Sequence, residues 1–143
     1  MSFNYPPTRT QTLGSALDTA ENRVSELETD DDTGAQTLAN ARNQRDALHW
    51  AVNEFGEDAE IVLSAYTATT RARTLDTLRG DILGDPGPEE IGNWLVAAGV
   101  DDAPWIDDKD TQSKAQRTGQ LPPALVDWLD RQLDDLNDLS EGN

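Results

Sequence analysis

Ala59-Glu60-Ile61-Val62-Leu63-Ser64-Ala65-Tyr66 is the stretch on which the fold turns. Ile61, Val62 and Tyr66 suit a strand, because β-branched and aromatic side chains pack well on a pleated surface. Ala59, Leu63 and Ala65 suit a helix. A strand needs a partner strand, and no other stretch reads as one. The reading therefore leans to a helix, or to an extended segment that pairs between protomers. The predicted fold class is mainly α: an N-terminal helical hairpin, then a small bundle of three to four helices, with room for one short extended segment at 59–66.

Upstream of this stretch, residues 1–9 read as an irregular arm. Pro6 and Pro7 block a helix there, and Phe3 and Tyr5 give the arm something to dock with. The first helix is expected from Thr10 or Thr12, both plausible N-caps. Leu13, Leu17, Ala20, Val24 and Leu27 follow at alternating spacings of four and three, a narrow apolar stripe. Asp30-Asp31-Asp32-Thr33-Gly34 breaks it, and Asp31, Asp32 or Thr33 is expected to cap the next helix. That helix runs from Ala35 toward Phe55 on Leu38, Ala41, Leu48, Val52 and Phe55. Residues 10–55 thus form an antiparallel hairpin. Its alanine-rich stripes mark it as a contact surface for the rest of the chain or for a partner.

Residues 56–143 read as a small helical domain. Gly56-Glu57-Asp58 is a turn. Thr67, Thr69 and Thr70 offer N-caps for a helix through Ala72, Leu75, Leu78 and Ile82, stopped at Gly84. Residues 84–88 form a linker. Pro88 suits a first helical position, with Glu89 and Glu90 in the first turn. Ile91, Trp94, Leu95 and Ala98 form that helix's buried face, and Gly99 ends it. Residues 100–120 read as an acidic loop pinned by Val100, Trp105 and Ile106. Pro122 and Pro123 open a last helix on Leu125, Leu129, Leu133 and Leu136, with Trp128 alongside.

The charge is spread along the chain. Among 143 residues, 28 acidic and 11 basic side chains give a net charge of −17, and residues 1–58 contribute −7 of it. Aspartates outnumber glutamates 19 to 9, and arginines outnumber lysines nine to two. Such a chain repels itself at low ionic strength and is relieved in molar salt, where the Debye length falls to ~3 Å. This composition resembles the proteome style of salt-in halophiles, especially haloarchaea and their viruses.

Several kinds of chemistry are left without residues to carry them. There is no cysteine and a single histidine, His49. No G-x-S-x-G elbow or glycine-rich phosphate loop occurs. Asp108-x-Asp110-x-Gln112 begins like a calcium loop, but Ser113 and Gly119 stand where glycine and glutamate are required. No catalytic, cofactor or metal site is predicted, and the protein is not expected to be an enzyme. Arg71, Arg73 and Arg79 are too few among the carboxylates to grip phosphates, so nucleic acid is not an expected partner. No apolar run approaches the ~20 residues of a membrane span. His49 is expected to be structural and partly buried. The expected contact residues are Leu13, Leu17, Val24, Leu38, Leu48 and Val52 of the hairpin, together with Trp50 and Trp105. An exposed tryptophan would be a binding hot spot. The expected partners are other proteins, or a second copy of the chain.

One order of elements carries a family resemblance, over residues 56–139. Gly56-Glu57-Asp58-Ala59-Glu60-Ile61-Val62-Leu63 is followed by Tyr66-Thr67-Ala68 and a helix through Arg71 and Arg73. Trp94-Leu95-Val96-Ala97-Ala98 comes next, then Ala103-Pro104-Trp105-Ile106. Leu121-Pro122-Pro123 starts a closing helix through Leu136 and Asn137. This layout resembles the small tail-assembly chaperones of long-tailed viruses. The resemblance implies a non-enzymatic protein that coats the tape-measure protein, recruits tube subunits and is left out of the virion. It brings no catalytic residues. The alternatives are a structural virion component of the head, neck or tail, and a cellular acidic adaptor or regulator in a haloarchaeon. The corresponding locations are the cytoplasm of a halophilic host, or the virion.

Overall fold

The computed structural model describes residues 7–65, 67–81, 87–108 and 110–141. The predicted docking residues Phe3 and Tyr5, the helix stop at Gly84 and most of the 84–88 linker lie outside them, as do Tyr66 and Ile82. The described elements run β1 (Thr8–Thr12), α1 (Leu13–Thr29), α2 (Ala35–Phe55), β2 (Glu60–Ser64), α3 (Ala68–Asp81), α4 (Pro88–Gly99), β3 (Val100–Asp102), α5 (Thr111–Thr118) and α6 (Pro123–Glu141). The fold is mainly helical, with a small antiparallel sheet of order β1-β2-β3.

The preference for helix at residues 59–66 is overturned. Residues 60–64 form the central strand of the sheet, paired with both neighbours inside one chain. Ile61, Leu63 and Ala65 are buried while Glu60 is exposed, an alternation with period two that only a strand produces. Its partners are the two segments read as irregular. Thr8 and Arg9 of the supposed arm belong to β1, and Thr10 precedes the helix rather than starting it. Thr12 is the N-cap, its hydroxyl accepting from the Ser15 amide at 3.2 Å. The supposed acidic loop contains β3 and α5. In β3, Asp101 is an extra residue between Val100, opposite Leu63, and Asp102, opposite Val62; the ladder bulges there.

The hairpin stands as expected, α1 against α2, and Glu28 pairs with Arg42 across it at 3.3 Å. Its turn differs in detail. The N-cap of α2 is Gly34, with no side-chain cap, rather than one of the three residues before it. Nor is the hairpin a separate unit. Leu13, Ala16 and Leu48 share one core with Ile61, Leu63, Val96, Val100, Leu125, Leu129 and Leu133. Two backbone bonds of 2.8 Å tie the start of α1 to the turn before β2, from Leu13 N–H to Ala59 and from Gly14 N–H to Glu57.

Helix α6 organises this core. It touches α2, α4 and β2. Leu125, Leu129 and Leu133 are fully buried. Against Leu133 the chain must carry no side chain: a Cβ at Gly99 would lie 2.5 Å from a Leu133 methyl. On the far side of α4, Leu78, Trp94, Ala97 and Ala115 form a smaller cluster among α3, α4 and α5. Thr67 caps α3, accepting from the Thr70 amide at 3.1 Å.

Candidate functional site

Of the eight expected contact residues, Leu13, Val24, Leu48 and Trp105 are buried. Leu17, Leu38 and Val52 are half-buried. The hairpin's stripe is therefore largely spent inside the chain. A carboxylate introduced at Leu48 would test the fold and not a contact. Trp50 is different: it is the one large hydrophobic side chain exposed among the described residues, at 39% of its surface. Trp94, Trp105 and Trp128 are core.

Trp50 is held in place by an aromatic row. Its ring meets Phe55 edge-on, with centroids 5.8 Å apart and planes at 90°. Phe55 in turn lies 6.0 Å from Trp105 at 53°. Such pairs contribute about 0.5–1.5 kcal/mol each beyond the area they bury. The row runs from solvent at Trp50, through half-buried Phe55, to Trp105 in the core. Trp105 serves it by packing alone, since its Nε1–H meets no acceptor among the described residues.

Two grooves open on either side of Trp50. One, of about 590 Å³, lies between α2 and the start of α6, with Asn43, Ala47, Pro122, Pro123 and Asp127 on its walls. The other, of about 260 Å³, is walled by Phe55, Pro104, Trp105, Leu121 and Glu54. Arg117 and Asp107, paired at 2.5 Å, also line it. The turn of α2 that sets Trp50 outward follows from its neighbours. Ala47, Leu48 and Ala51 face the core, which leaves Trp50 on the outer side of this turn. The 103–106 segment is closed by an Ile106-to-Ala103 backbone bond of 3.0 Å, which fixes Trp105 beneath Phe55.

Asp110 and Asp30, each within a cluster of aspartates, have local duties. Asp110 caps α5, accepting from the Ser113 amide at 2.9 Å and the Ser113 hydroxyl at 2.8 Å. These bonds hold its carboxyl below the ordinary aspartate value. Asp30 accepts from the Asp32 amide at 3.0 Å in the hairpin turn. Among the described residues no three His, Asp or Glu side chains converge as a metal-binding group would. His49 is exposed rather than partly buried, and bonds to Asn53 one turn on at 3.2 Å. Arg71 and Arg73 are exposed on α3, and Arg79 pairs loosely with Asp76 at 3.9 Å. No helix among the described residues is long and apolar enough to cross a membrane.

Sequence reasoning named Trp50 and Trp105 but missed Phe55 and the Pro122-Pro123 pair that opens α6 as their companions. Phe55 looked like the last member of the hairpin stripe. Only the fold brings residues 103–106 and 121–124 beside the end of α2. Compared with protein-family models, curated proteins and solved structures, the chain matches none.

Proposed function

We propose that this chain is a non-enzymatic protein-binding protein whose partner docks on the Trp50 face. The observation that carries the reading is an exposed tryptophan, braced by Phe55, between two grooves with apolar and polar walls. Tryptophan is enriched among residues that dominate binding energy, and such residues sit in pockets ringed by weaker contacts. A rigid aromatic also loses little conformational freedom on binding.

Within that class we propose tail assembly in a tailed virus of a halophilic host, the chain acting as chaperone of tape-measure or tube proteins. Support comes from the order of elements over residues 56–139. A short strand is followed by a Thr67-capped helix, a Trp94 helix, the Pro104-Trp105 segment and a proline-led closing helix. The acidic composition supports the halophilic host.

The test is affinity capture from native lysate, kept in molar KCl, with wild type and Trp50→Ala side by side. Recovery of a very long helical protein or free tube subunits, reduced at least ~30-fold by the substitution, is the expected result; that ratio corresponds to a hot spot of ~2 kcal/mol. Portal, capsid or mature tail proteins at fixed ratio would replace the chaperone with a virion component. Host proteins alone would replace both with a cellular adaptor. Equal capture by both proteins would remove the Trp50 face as the docking site.

A further inference from the structure

Strand β1 is the end strand of the sheet, and its backbone is half-used. Pro7 C=O accepts from Ala65 N–H at 2.9 Å, and Leu13 N–H donates to Ala59 C=O at 2.8 Å. Between them Arg9 stands opposite Leu63 and Gln11 opposite Ile61. In an antiparallel ladder the bonded residues alternate. Pro7 thus points its carbonyl at β2, Arg9 and Gln11 point both their N–H and C=O at it, and Leu13 its N–H, while the peptide groups of Thr8, Thr10 and Thr12 face outward. The carbonyl of Thr12, as N-cap, serves α1. Among the described residues, what remains for a neighbour is the N–H and C=O of Thr8 and Thr10 and the N–H of Thr12.

The two ends of this sheet are defended differently. The β3 end is only three residues long, bulged, and carries Asp101 and Asp102. Short, charged and bulged strands are the usual guards against edge-to-edge pairing. The β1 strand has five residues, no bulge against β2, and no carboxylate. It lies in the longest acid-free stretch of the sequence, residues 1–17, in a chain of net charge −17. Two such chains repel each other least where this stretch meets its copy.

The sequence Thr8-Arg9-Thr10-Gln11-Thr12 is also nearly its own mirror. An antiparallel pairing centred on Thr10 sets Thr10 against Thr10, Thr8 against Thr12, and Arg9 against Gln11. No like charges fall directly opposite, and threonine pairs are favourable cross-strand partners. From these observations we infer that the β1 edge is a two-fold interface between two copies of this chain, which joins their sheets into one of six strands. The Thr10 pair exchanges two backbone bonds, and Thr12 N–H to Thr8 C=O adds two more. The inference is independent of the Trp50 face, which lies on α2.

The test uses the full chain in molar KCl, where mutual repulsion is screened. Sedimentation velocity should give twice the 15.7 kDa of the monomer. Thr10→Pro removes an outward N–H and leaves the bonds to β2 intact, which an edge strand tolerates; it should sediment as a monomer with unchanged circular dichroism. Should that variant fail to fold, cross-linking decides. The chain has no cysteine. Thr10→Cys should oxidise to a covalent dimer, since bonded partners lie ~5.5 Å apart at Cα, within disulfide reach. Thr8→Cys should not, because the four-residue offset separates its copies by ~13 Å. A wild type that stays monomeric, or a dimer that survives Thr10→Pro, overturns the inference. So does a Thr10→Cys protein that does not cross-link.

Discussion

Trp105 shows how packing outranks hydrogen bonding at a single residue. It is buried, it supports Phe55, and its indole N–H has no acceptor among the described residues. An unsatisfied buried donor costs about 1–3 kcal/mol. Trp105→Phe removes that donor along with some volume, and the two effects oppose each other. We expect chemical denaturation in molar KCl to find Trp105→Phe within about 1 kcal/mol of wild type, against about 3–5 kcal/mol lost in Trp105→Ala. A Phe variant as damaging as the Ala variant would mean that the N–H is bonded in solution. Asp130 is the opposite case, a charge the fold handles poorly. Desolvation raises its carboxyl above the ordinary aspartate value, repulsion from Asp134 and Asp127 adds to this, and Arg131 offsets part. A carboxyl with a raised folded pKa binds protons more readily folded than unfolded. Its ionised form therefore destabilises the fold, and stability falls as pH rises through a window that opens at about 3.8. Asp130→Asn should raise the melting temperature slightly at neutral pH, with the gain shrinking as pH falls through that window. A gain independent of pH would assign the effect to something other than titration.

Elements differ in how openly the sequence declares them. The hairpin, α4 and α6 were legible, because Leu13 to Leu27, Trp94 to Ala98 and Leu125 to Leu136 repeat at helical spacing between proline and glycine marks. The sheet was not. Strand β1 is Thr-Arg-Thr-Gln-Thr, and the face it turns toward α6 is polar: Arg9 Nη1 donates to Gln132 Oε1 at 2.7 Å, with Gln11 Nε2 3.4 Å from the same oxygen. No apolar alternation exists there to be read. Strand β3 has three residues, too few to show a period. Without visible partners, β2 could not be told from a helix by its own residues, and the aromatic site inherited the same blindness. The deciding feature is the turn from α2 into β2. Gly56 caps α2 at φ 98° and ψ 150°, a backbone state that side chains oppose, although open space surrounds its α-carbon. Its N–H donates to Val52 C=O at 2.8 Å as the chain leaves the helix. Gly56→Ala should therefore cost about 1–3 kcal/mol through backbone strain alone. A d-alanine introduced there by chemical synthesis should restore the loss; failure to do so would place the cost elsewhere.

At the scale of the whole molecule, charge and core compete, and the core is uneven. Among the described residues, the ion pairs Glu28–Arg42, Asp46–Arg45, Asp76–Arg79 and Asp107–Arg117 all involve exposed groups. Pairs of that kind contribute about 0–1 kcal/mol each, too little to offset a net charge of −17. Burial must hold the chain together, and most of it is gathered around α6, where α1, α2, β2 and α4 contribute to one cluster. The α3–α4–α5 corner rests on Leu78, Trp94, Ala97 and Ala115, with Ile91 half-buried beside them. Its buried threonines, Thr74 and Thr118, spend their hydroxyls on carbonyls of their own helices at 2.8 Å and tie nothing across. Lowering the salt lengthens the Debye screen from ~3 Å at 1 M to ~10 Å at 0.1 M, and repulsion grows everywhere at once. The corner with fewer buried contacts should yield first. On dialysis from molar KCl into dilute buffer, helicity should therefore fall in two steps. Amide exchange in α3 and α5 should quicken in the first step, while α2 and α6 stay protected until the second. Loss of all helices together would show that the two clusters form one cooperative unit. Circular dichroism unchanged across the whole salt range would show that burial alone carries the fold, and would remove the charge-based argument for a halophilic host.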